Sequence, residues 1–246
     1  MQQNNHTSQQ NNDWLARTSL LLGDKALKKL SSAHVLVVGL GGVGAYAAEM
    51  LCRSGVGQLT IVDADVINPS NLNRQLLALT STTGKAKADL MEQRLLDINP
   101  NLKLTSIHAY LSGEGFEKIL DGNSFDYVVD AIDTLSPKVE LIKLCLEKNI
   151  PIVSSMGAGA KLDPEKIEIR DISKSHHCPL ARMLRKRLHR LGIRKGFKVV
   201  FSTEDTITEA IQLCDNESNK KSIVGTISYL PAIFGCYCAS VVIRDL

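Results

Sequence analysis

Apolar runs alternate with amphipathic stretches along the first two thirds of the chain. Five runs rich in β-branched residues predict buried strands, because a strand covered on both faces shows little polar alternation. These predicted strands are HVLVVG, QLTIVD, LKLTSIHAY, FDYVVDAID and IPIVSSM, in chain order. Helical patterns between them predict an α/β fold: a Rossmann-like, mostly parallel sheet with helices on both faces.

Apolar residues at three- and four-residue spacing mark the helices. They predict helices in VGAYAAEMLCRSG, in GKAKADLMEQRLLDIN, around residues 115–120 and in SPKVELIKLCLEKN, with one or two short helices in WLARTSLLLGDKALKKL before the first strand. Gly55 is predicted as a helix C-cap, and Ser136 as an N-cap with Pro137 at the first helical position. Most strands are thus followed by a helix, as parallel pairing requires.

The pattern changes after residue 157. KIEIRDI and FKVVFSTE predict two more strands on either side of a basic helix, and residues 224–243 carry no charge at all. Glycine, serine and proline dilute that last stretch, which favours a packed or dimer-interface helix over membrane contact. We therefore expect a disordered polar tail over residues 1–12, a main domain over 13–160, and a smaller C-terminal α/β extension over 161–246 packed on the same domain.

A glycine-rich turn follows the first predicted strand. Gly39, Gly41 and Gly44 satisfy the G-x-G-x-x-G pattern, which lets a phosphate approach backbone N–H groups at a helix N-terminus. Asp63 ends the next strand, where a carboxylate can accept hydrogen bonds from ribose hydroxyls. These residues predict a nucleotide site, and on their own they favour NAD.

The loop after Asp63 changes that preference. Asp65, Asn71, Arg74 and Gln75 are predicted just beyond the carboxyl edge of the sheet. A guanidinium group there suits a triphosphate, whereas hydride transfer does not need one. The ligand that this loop favours is therefore ATP.

Two further charged positions belong to the same predicted crevice. Lys87 is predicted in the first turn of the next helix, and Asp130 and Asp133 lie at the end of the fourth strand. A carboxylate beside a polyphosphate is well placed to hold Mg²⁺, and we assign that role to Asp133. Asp133 also fits a helix N-cap, and the two roles can coexist.

These motifs, taken together, resemble the ubiquitin-activating-enzyme-like adenylyltransferases, which include the enzymes of molybdopterin and thiamine biosynthesis. The resemblance covers roughly residues 14–160 and implies a homodimer that binds ATP and Mg²⁺. It implies nucleotide binding by the matching residues Gly39, Gly41, Gly42, Gly44, Asp63, Asp65, Asn71, Arg74, Gln75 and Lys87. It implies catalytic roles for Arg74, Lys87, Asp133 and Arg17, the last resembling an arginine that such homodimers insert into the partner's active site.

The second half of the chain resembles one branch of that superfamily. Residues 154–204 are similar to tRNA threonylcarbamoyladenosine dehydratases, and the chain lacks the two zinc-binding C-x-x-C pairs usual in relatives that activate sulfur-carrier proteins. The sequence departs from the family at Cys178, where aspartate is more common before Pro179, so no role is carried over to that position. The resemblance implies ATP-dependent adenylation of the threonyl carboxylate of N6-threonylcarbamoyladenosine in tRNA, followed by cyclisation with loss of water.

One segment makes the protein basic. Residues 180–198 hold eight of its 29 Lys and Arg residues and no acid; the remaining 21 face 26 Asp and Glu residues, so the rest of the chain carries a net charge of −5. Such a segment favours RNA phosphate binding over a merely solvated face. The predicted RNA-binding residues are Arg182, Arg185, Lys186, Arg187, Arg190, Arg194 and Lys195.

The cysteines indicate a compartment. Six cysteines are scattered without a C-x-x-C pair, and the N-terminus shows no signal-peptide pattern. Reduced thiols in the cytoplasm are therefore expected.

Three alternatives stay open at this point. An adenylyltransferase for a ubiquitin-like sulfur carrier would depend on a sulfur-acceptor-type protein partner. An NAD-dependent oxidoreductase would use only the glycine turn and Asp63. A non-catalytic RNA-binding protein would function without Arg74 or Asp133.

Overall fold

Seven strands form one sheet through the centre of the protein. In the computed structural model, which describes residues 13–213 and 222–246, they are β1 (His34–Val38), β2 (Gln58–Val62), β3 (Lys103–Ile107), β4 (Tyr127–Asp130), β5 (Ile152–Ser155), β6 (Ile167–Asp171) and β7 (Lys198–Ser202). Their order is β3-β2-β1-β4-β5-β7-β6, and only β6 runs antiparallel to its neighbour. The predicted tail over residues 1–12 lies outside the described residues.

Eight α-helices occur in the described part of the chain. They are α1 (Ala16–Leu22), α2 (Asp24–Ser32), α3 (Gly44–Arg53), α4 (Lys87–Ile98), α5 (Glu114–Asp121), α6 (Leu135–Glu147), α7 (Pro179–Arg190) and α8 (Tyr229–Asp245). One apolar core joins α3, α4 and α8 to one sheet face, and a second joins α5, α6 and α7 to the other. The predicted parallel sheet with helices on both faces is confirmed.

Strand β1 illustrates how the sequence supplies both cores. Val35 and Val37 point into the first core, whereas Leu36 and Val38 point into the second. Because side chains alternate across a strand, all four positions must be apolar in a sheet that is covered on both sides. The uninterrupted apolar run is the signature of that burial.

The C-terminal part shares this sheet. β7 pairs with β5 and carries β6 at the sheet edge, and α8 packs against α3. A Cβ atom at Gly235 would lie 2.3 Å from the carbonyl oxygen of Val43, so only glycine permits this close approach of the two helices. The domain division at residue 160 stays a prediction.

Helix boundaries differ in detail from those predicted. Thr134, with extended backbone angles, is the N-cap of α6, so the prediction of Ser136 as the cap is wrong; the Ser136 hydroxyl instead accepts a hydrogen bond from Arg187 Nη1 at 2.8 Å. Ser54 is the C-cap of α3, and Gly55 follows it with φ of 90°. A glycine in that conformation directly after the cap is a common way to end a helix.

A small hairpin was not predicted from the sequence. β8 (Ile211–Leu213) pairs antiparallel with β9 (Ser222–Val224), so the charge-free stretch from residue 224 begins in a strand and its helix starts only at Tyr229. Among the described residues, no helix combines the length and apolar composition needed to cross a bilayer.

Candidate nucleotide site and basic helix

The candidate site lies at the carboxyl edge of the sheet, where β1 and β4 are neighbours. The chain leaves β1 toward β2 and β3 on one side, and from β4 it continues toward β5 on the other. Such a change of direction opens a crevice beyond the strand ends, and nucleotides bind there in open α/β sheets. The glycine turn, Asp63 and the Asp130–Asp133 segment all border this edge.

The glycines of the turn have different structural roles. A Cβ atom on Gly39 would lie 2.8 Å from the carbonyl oxygen of Ala131, and one on Gly44 would lie 1.7 Å from the carbonyl oxygen of Gly39. Neither position can hold a side chain. At Gly41 the nearest atom would be Gln75 Nε2 at 3.8 Å, so the backbone there is open to a ligand.

Gly42 joins three segments of the chain. A Cβ atom there would lie 3.0 Å from Pro231 Cβ, in the first turn of α8, and 3.3 Å from the carbonyl oxygen of Arg74. The missing side chain lets α8 and the Arg74 loop pack directly on the glycine turn. Gly42 therefore helps to position the Arg74 loop and α8 against the glycine turn.

Asp63 fixes the turn with both carboxylate oxygens. Oδ2 accepts from the backbone N–H of Leu40 at 2.6 Å, and Oδ1 accepts from that of Asp65 at 2.7 Å. Burial raises the pKa of Asp63, and the positive charge of Lys87 offsets this in part. Each oxygen keeps acceptor capacity, so a ribose hydroxyl can also bind.

Lys87 is held at the start of α4 by Asp65. It is only 4% exposed, its Nζ donates to Asp65 Oδ2 at 2.8 Å, and its backbone N–H donates to the Asp65 carbonyl at 3.0 Å. The structure therefore places Lys87, Asp65 and Asp63 close together, at the crevice where the sequence predicted them.

Arg74 lies in a loop that its neighbours order. Its Nη1 donates to the Ser70 carbonyl and to Asn73 Oδ1, both at 2.8 Å, while Asn73 Nδ2 donates to the Thr226 carbonyl at 2.8 Å. Asn71 is buried, and its side chain accepts from the backbone N–H of Asn68 at 3.1 Å. Asn71 thus shapes the turn that presents Arg74.

Gln75 carries an unsatisfied acceptor beside the open glycine. Its Oε1 is buried and has no hydrogen-bond partner, although its Nε2 lies close to Gly41. Buried polar atoms are nearly always paired in folded proteins, so an orphan at a binding crevice indicates a missing donor. A ligand seated on Gly41 could supply that donor.

The two aspartates after β4 have separate environments. Asp130 is completely buried: Oδ2 accepts from Lys138 Nζ at 2.7 Å and from Ser154 Oγ at 2.5 Å, and Oδ1 accepts from the Ile132 N–H. Asp133 is exposed at the crevice. The described residues contain no group of three or more His, Cys, Asp or Glu side chains placed to hold a metal ion.

Lys138 was missed in the sequence. It is fully buried on an apolar face of α6, where it also donates to the Ser155 carbonyl at 3.0 Å. The sequence signal for it was a lysine among the apolar residues Pro137, Val139 and Leu141. A lysine on a buried helix face indicates an anionic or polar partner, because a buried charge needs one.

Arg17 lies far from the crevice of its own chain. Leu15, two residues before it, contacts the space beside Gly55 at the carboxyl end of α3, whereas the glycine turn is at the amino end. Ten residues of helix separate the two ends by about 15 Å. Arg17 itself is exposed on α1.

The predicted basic helix is α7. It buries Ala181, Leu184 and Leu188 against the second core, and its outer face exposes Arg182, Lys186, Arg187 and Arg190, with Arg194 and Lys195 exposed in the segment that follows. Arg185 differs: it is half-buried and its Nη1 donates to the Ser175 carbonyl at 2.6 Å. Arg185 therefore anchors the preceding loop as well as adding charge.

Comparison with known proteins agrees with this arrangement. A sequence model of the ThiF family matches residues 15–246. This chain belongs to the ThiF family. A relative from Bacillus subtilis, a tRNA threonylcarbamoyladenosine dehydratase, is 39% identical over 238 residues, which is 94% of this chain and 93% of the relative.

Solved structures of a ThiF relative share the fold. Crystal structures of the Escherichia coli tRNA N6-threonylcarbamoyladenosine dehydratase, one in complex with ATP and another with AMP, match with a TM-score of 0.86 and 34% identity. The ATP complex covers 95% of this chain, and 93% of that chain is matched in return. The similarity therefore includes the glycine turn, the basic helix and α8.

Proposed function

We propose that this protein catalyses the ATP-dependent dehydration of N6-threonylcarbamoyladenosine in tRNA to its cyclic form. The observation that carries the proposal is the end-to-end match to relatives with this activity, one of which binds ATP in a structure of the same fold. An adenylyltransferase for a sulfur-carrier protein shares the first half of this architecture. The match over the second half, including α7, favours the tRNA substrate.

The crevice fits ATP. Gly41 leaves space beside the glycine turn, where backbone N–H groups could bind phosphate, and Asp63 can accept from the ribose. Gln75 Oε1 is the buried acceptor that a nucleotide donor would satisfy. To meet phosphate oxygens, Arg74 would exchange its bonds to Ser70 and Asn73 for stronger charge-assisted ones.

The chemistry has two steps. An oxygen of the threonyl carboxylate attacks the α-phosphorus, the bond to the bridging oxygen breaks, and pyrophosphate leaves. The neighbouring carbamoyl group then attacks the activated carbonyl carbon and loses a proton, and AMP leaves with the former carboxylate oxygen. The product is one water lighter, and the second step is intramolecular, so positioning is the main requirement on the protein.

Side chains at the crevice would stabilise the charge of the first step. We assign Arg74 and Lys87 to the phosphate oxygens, together with Arg17 from the partner subunit. Mg²⁺, when bound, neutralises phosphate charge, and the exposed carboxylate of Asp133 is the type of ligand it prefers. Asp130 is unsuited to that role because Lys138 and Ser154 occupy its carboxylate.

Helix α7 would hold the tRNA next to this chemistry. The hydrogen bond from Arg187 to Ser136 fixes α7 beside the start of α6, three residues after Asp133. Exposed cations on α7 can bind phosphates of the RNA backbone. We infer a cytoplasmic location, because the five cysteines in the described residues are free thiols and a reducing compartment favours free thiols.

We also infer that the protein is a homodimer. Leu20 and Leu21 of α1 are 89% and 83% exposed, and Trp14, just before α1, is also exposed. Large exposed apolar side chains close together in the chain favour a protein interface. In such a dimer, we assign Arg17 of each subunit to the crevice of its partner.

A mass assay tests the reaction. The protein is incubated with MgATP and tRNA carrying the modification, and the RNA is digested to nucleosides. We expect the threonylcarbamoyl nucleoside to lose the mass of one water, with AMP and pyrophosphate formed in equal amounts, and no change when ATP is omitted. An unchanged nucleoside, with adenylation of a sulfur-carrier protein instead, would establish the alternative.

A further inference from the structure

A cavity of about 300 Å³ lies beside the first turn of α7, outside the ATP crevice. Its lining residues are His177, Cys178, Pro179, Arg182 and Arg185. The volume is at the small end of pockets that take small molecules and exceeds what a single ion needs. None of these residues is among those assigned to ATP.

The cavity shares the carboxyl edge of the sheet with the crevice. Gly157 follows the end of β5 by two residues, and a Cβ atom on it would lie 3.8 Å from Cys178 Sγ. β5 is the immediate neighbour of β4, after which Asp133 lies. A molecule in the cavity would therefore sit one strand away from the reacting phosphate.

The walls combine positive charge with apolar surface. Arg182 is exposed at the mouth, and Arg185 is oriented by its bond to Ser175. The first N–H groups of α7 add partial positive charge. Cys178, only 4% exposed, and Pro179 supply an apolar wall.

The other side of the cavity is held by a long-range contact. His177, with φ of 52°, donates from Nδ1 to Asp205 Oδ1 at 2.5 Å. This bond joins the loop before α7 to the segment after β7. Asp205 does not line the cavity, and the charged groups among the lining residues are the guanidinium groups of Arg182 and Arg185.

We propose that this cavity receives one nucleotide of the tRNA anticodon loop, next to the modified adenosine. Its phosphate binds Arg182 and Arg185, and its base packs on Pro179 and Cys178. Proteins that read RNA loops splay unstacked bases into such pockets, where guanidinium planes can replace aromatic rings. The inference rests on the proposed function, since it assigns part of the same tRNA substrate.

Abasic substitution of the RNA tests the proposal. Stem-loop RNAs carrying the modification are made with one loop nucleotide at a time replaced by an abasic site, and their dissociation constants are measured. For the wild-type protein we expect one position next to the modified adenosine to cost about tenfold in affinity. In Arg182→Ala, and in Cys178→Leu, which fills the cavity without changing charge, that cost should fall to less than about twofold.

Two matched variants serve as controls. Lys186→Ala removes a charge from α7 outside the cavity, so it should weaken all RNAs equally and keep the abasic cost. Cys178→Ala leaves the cavity open and should also keep it. ATP affinity and melting temperature report on folding of each variant.

Two results separate this inference from the proposed reaction. If the wild type dehydrates the tRNA but Arg182→Ala and Cys178→Leu keep the full abasic cost, the cavity does not receive a nucleotide. If the wild type fails to dehydrate the tRNA yet these variants abolish the abasic cost, the nucleotide pocket stands and the reaction is wrong. If Arg182→Ala and Cys178→Leu instead weakened binding of a carrier protein while RNA binding stayed intact, the proposal would also be overturned.

Discussion

Asp130 and Asp133 follow the same strand, but the fold gives their carboxylates opposite surroundings. Asp130 is sealed in the interior with Lys138, whose ammonium it shares with Ser154 and the Ser155 carbonyl. A buried charge left without its partner is strongly unfavourable. Asp133 is exposed at the surface of the crevice.

Substitutions at Lys138, the partner of Asp130, and at Asp133 should therefore separate stability from activity. Lys138→Met is expected to lower the free energy of unfolding by about 3–5 kcal/mol, because it leaves Asp130 unpaired. Asp133→Asn should change it by less than about 1 kcal/mol and slow the reaction by at least about tenfold through loss of the Mg²⁺ ligand. Urea unfolding and the nucleoside mass assay measure the two effects. Full activity of Asp133→Asn would remove the metal role.

At the residue scale, the sequence predicts the positions of some site residues but not of others, for a physical reason. Asp63, Asp65 and Lys87 could be placed because strand ends and helix starts fix where neighbouring side chains meet. The cavity at α7 could not be placed, since it depends on contacts such as that between His177 and Asp205, which only the folded chain brings together.

At the scale of elements, an ion cluster ties α3 to α4. Glu49 is buried on α3 and accepts from Arg53 on the same helix and from Arg94 on α4. Burial by itself would raise the pKa of Glu49, but hydrogen bonds and charge from Arg94 and Arg53 together hold it below its ordinary value. The folded state therefore favours the ionised carboxylate.

This lowered pKa predicts an acid-sensitive contribution to stability. The contribution should be complete at neutral pH, begin to fade near the ordinary glutamate value of 4.5, and be lost as the pH falls through the lower folded pKa. Glu49→Gln should cost about 1–3 kcal/mol at pH 7 and much less in acid. Urea unfolding at several pH values measures both proteins. Parallel stability curves for the two would contradict the prediction.

Elements with strong local periodicity were predictable, whereas those defined by a partner were not. The apolar run of β1 and the helical spacing of α3 are visible in the sequence itself. β9 is short and owes its strand conformation to pairing with β8, so the stretch from Val224 onward resembled one continuous helix. The residue at which α8 begins could not be predicted for the same reason.

At the scale of the whole molecule, the proposed homodimer would complete the site. Arg17 lies near the carboxyl end of α3, about one helix length from the glycine turn at its amino end. The exposed leucines of α1 adjoin it. A two-fold dimer would give two identical crevices, each using Arg74 from one subunit and Arg17 from the other.

Subunit mixing tests this arrangement directly. Arg17→Ala and Arg74→Ala homodimers should each be nearly inactive, because every crevice lacks one guanidinium. After mixing and exchange in equal amounts, about half of the dimers are mixed, and each has one crevice with both arginines intact. About a quarter of the wild-type activity should then return in the nucleoside mass assay. If Arg17 acted within its own chain, no mixed dimer would contain an intact crevice, and activity would stay low. The control mixes Arg74→Ala with Lys87→Ala. This mixture should restore no activity in either case, because one subunit supplies both residues to a crevice.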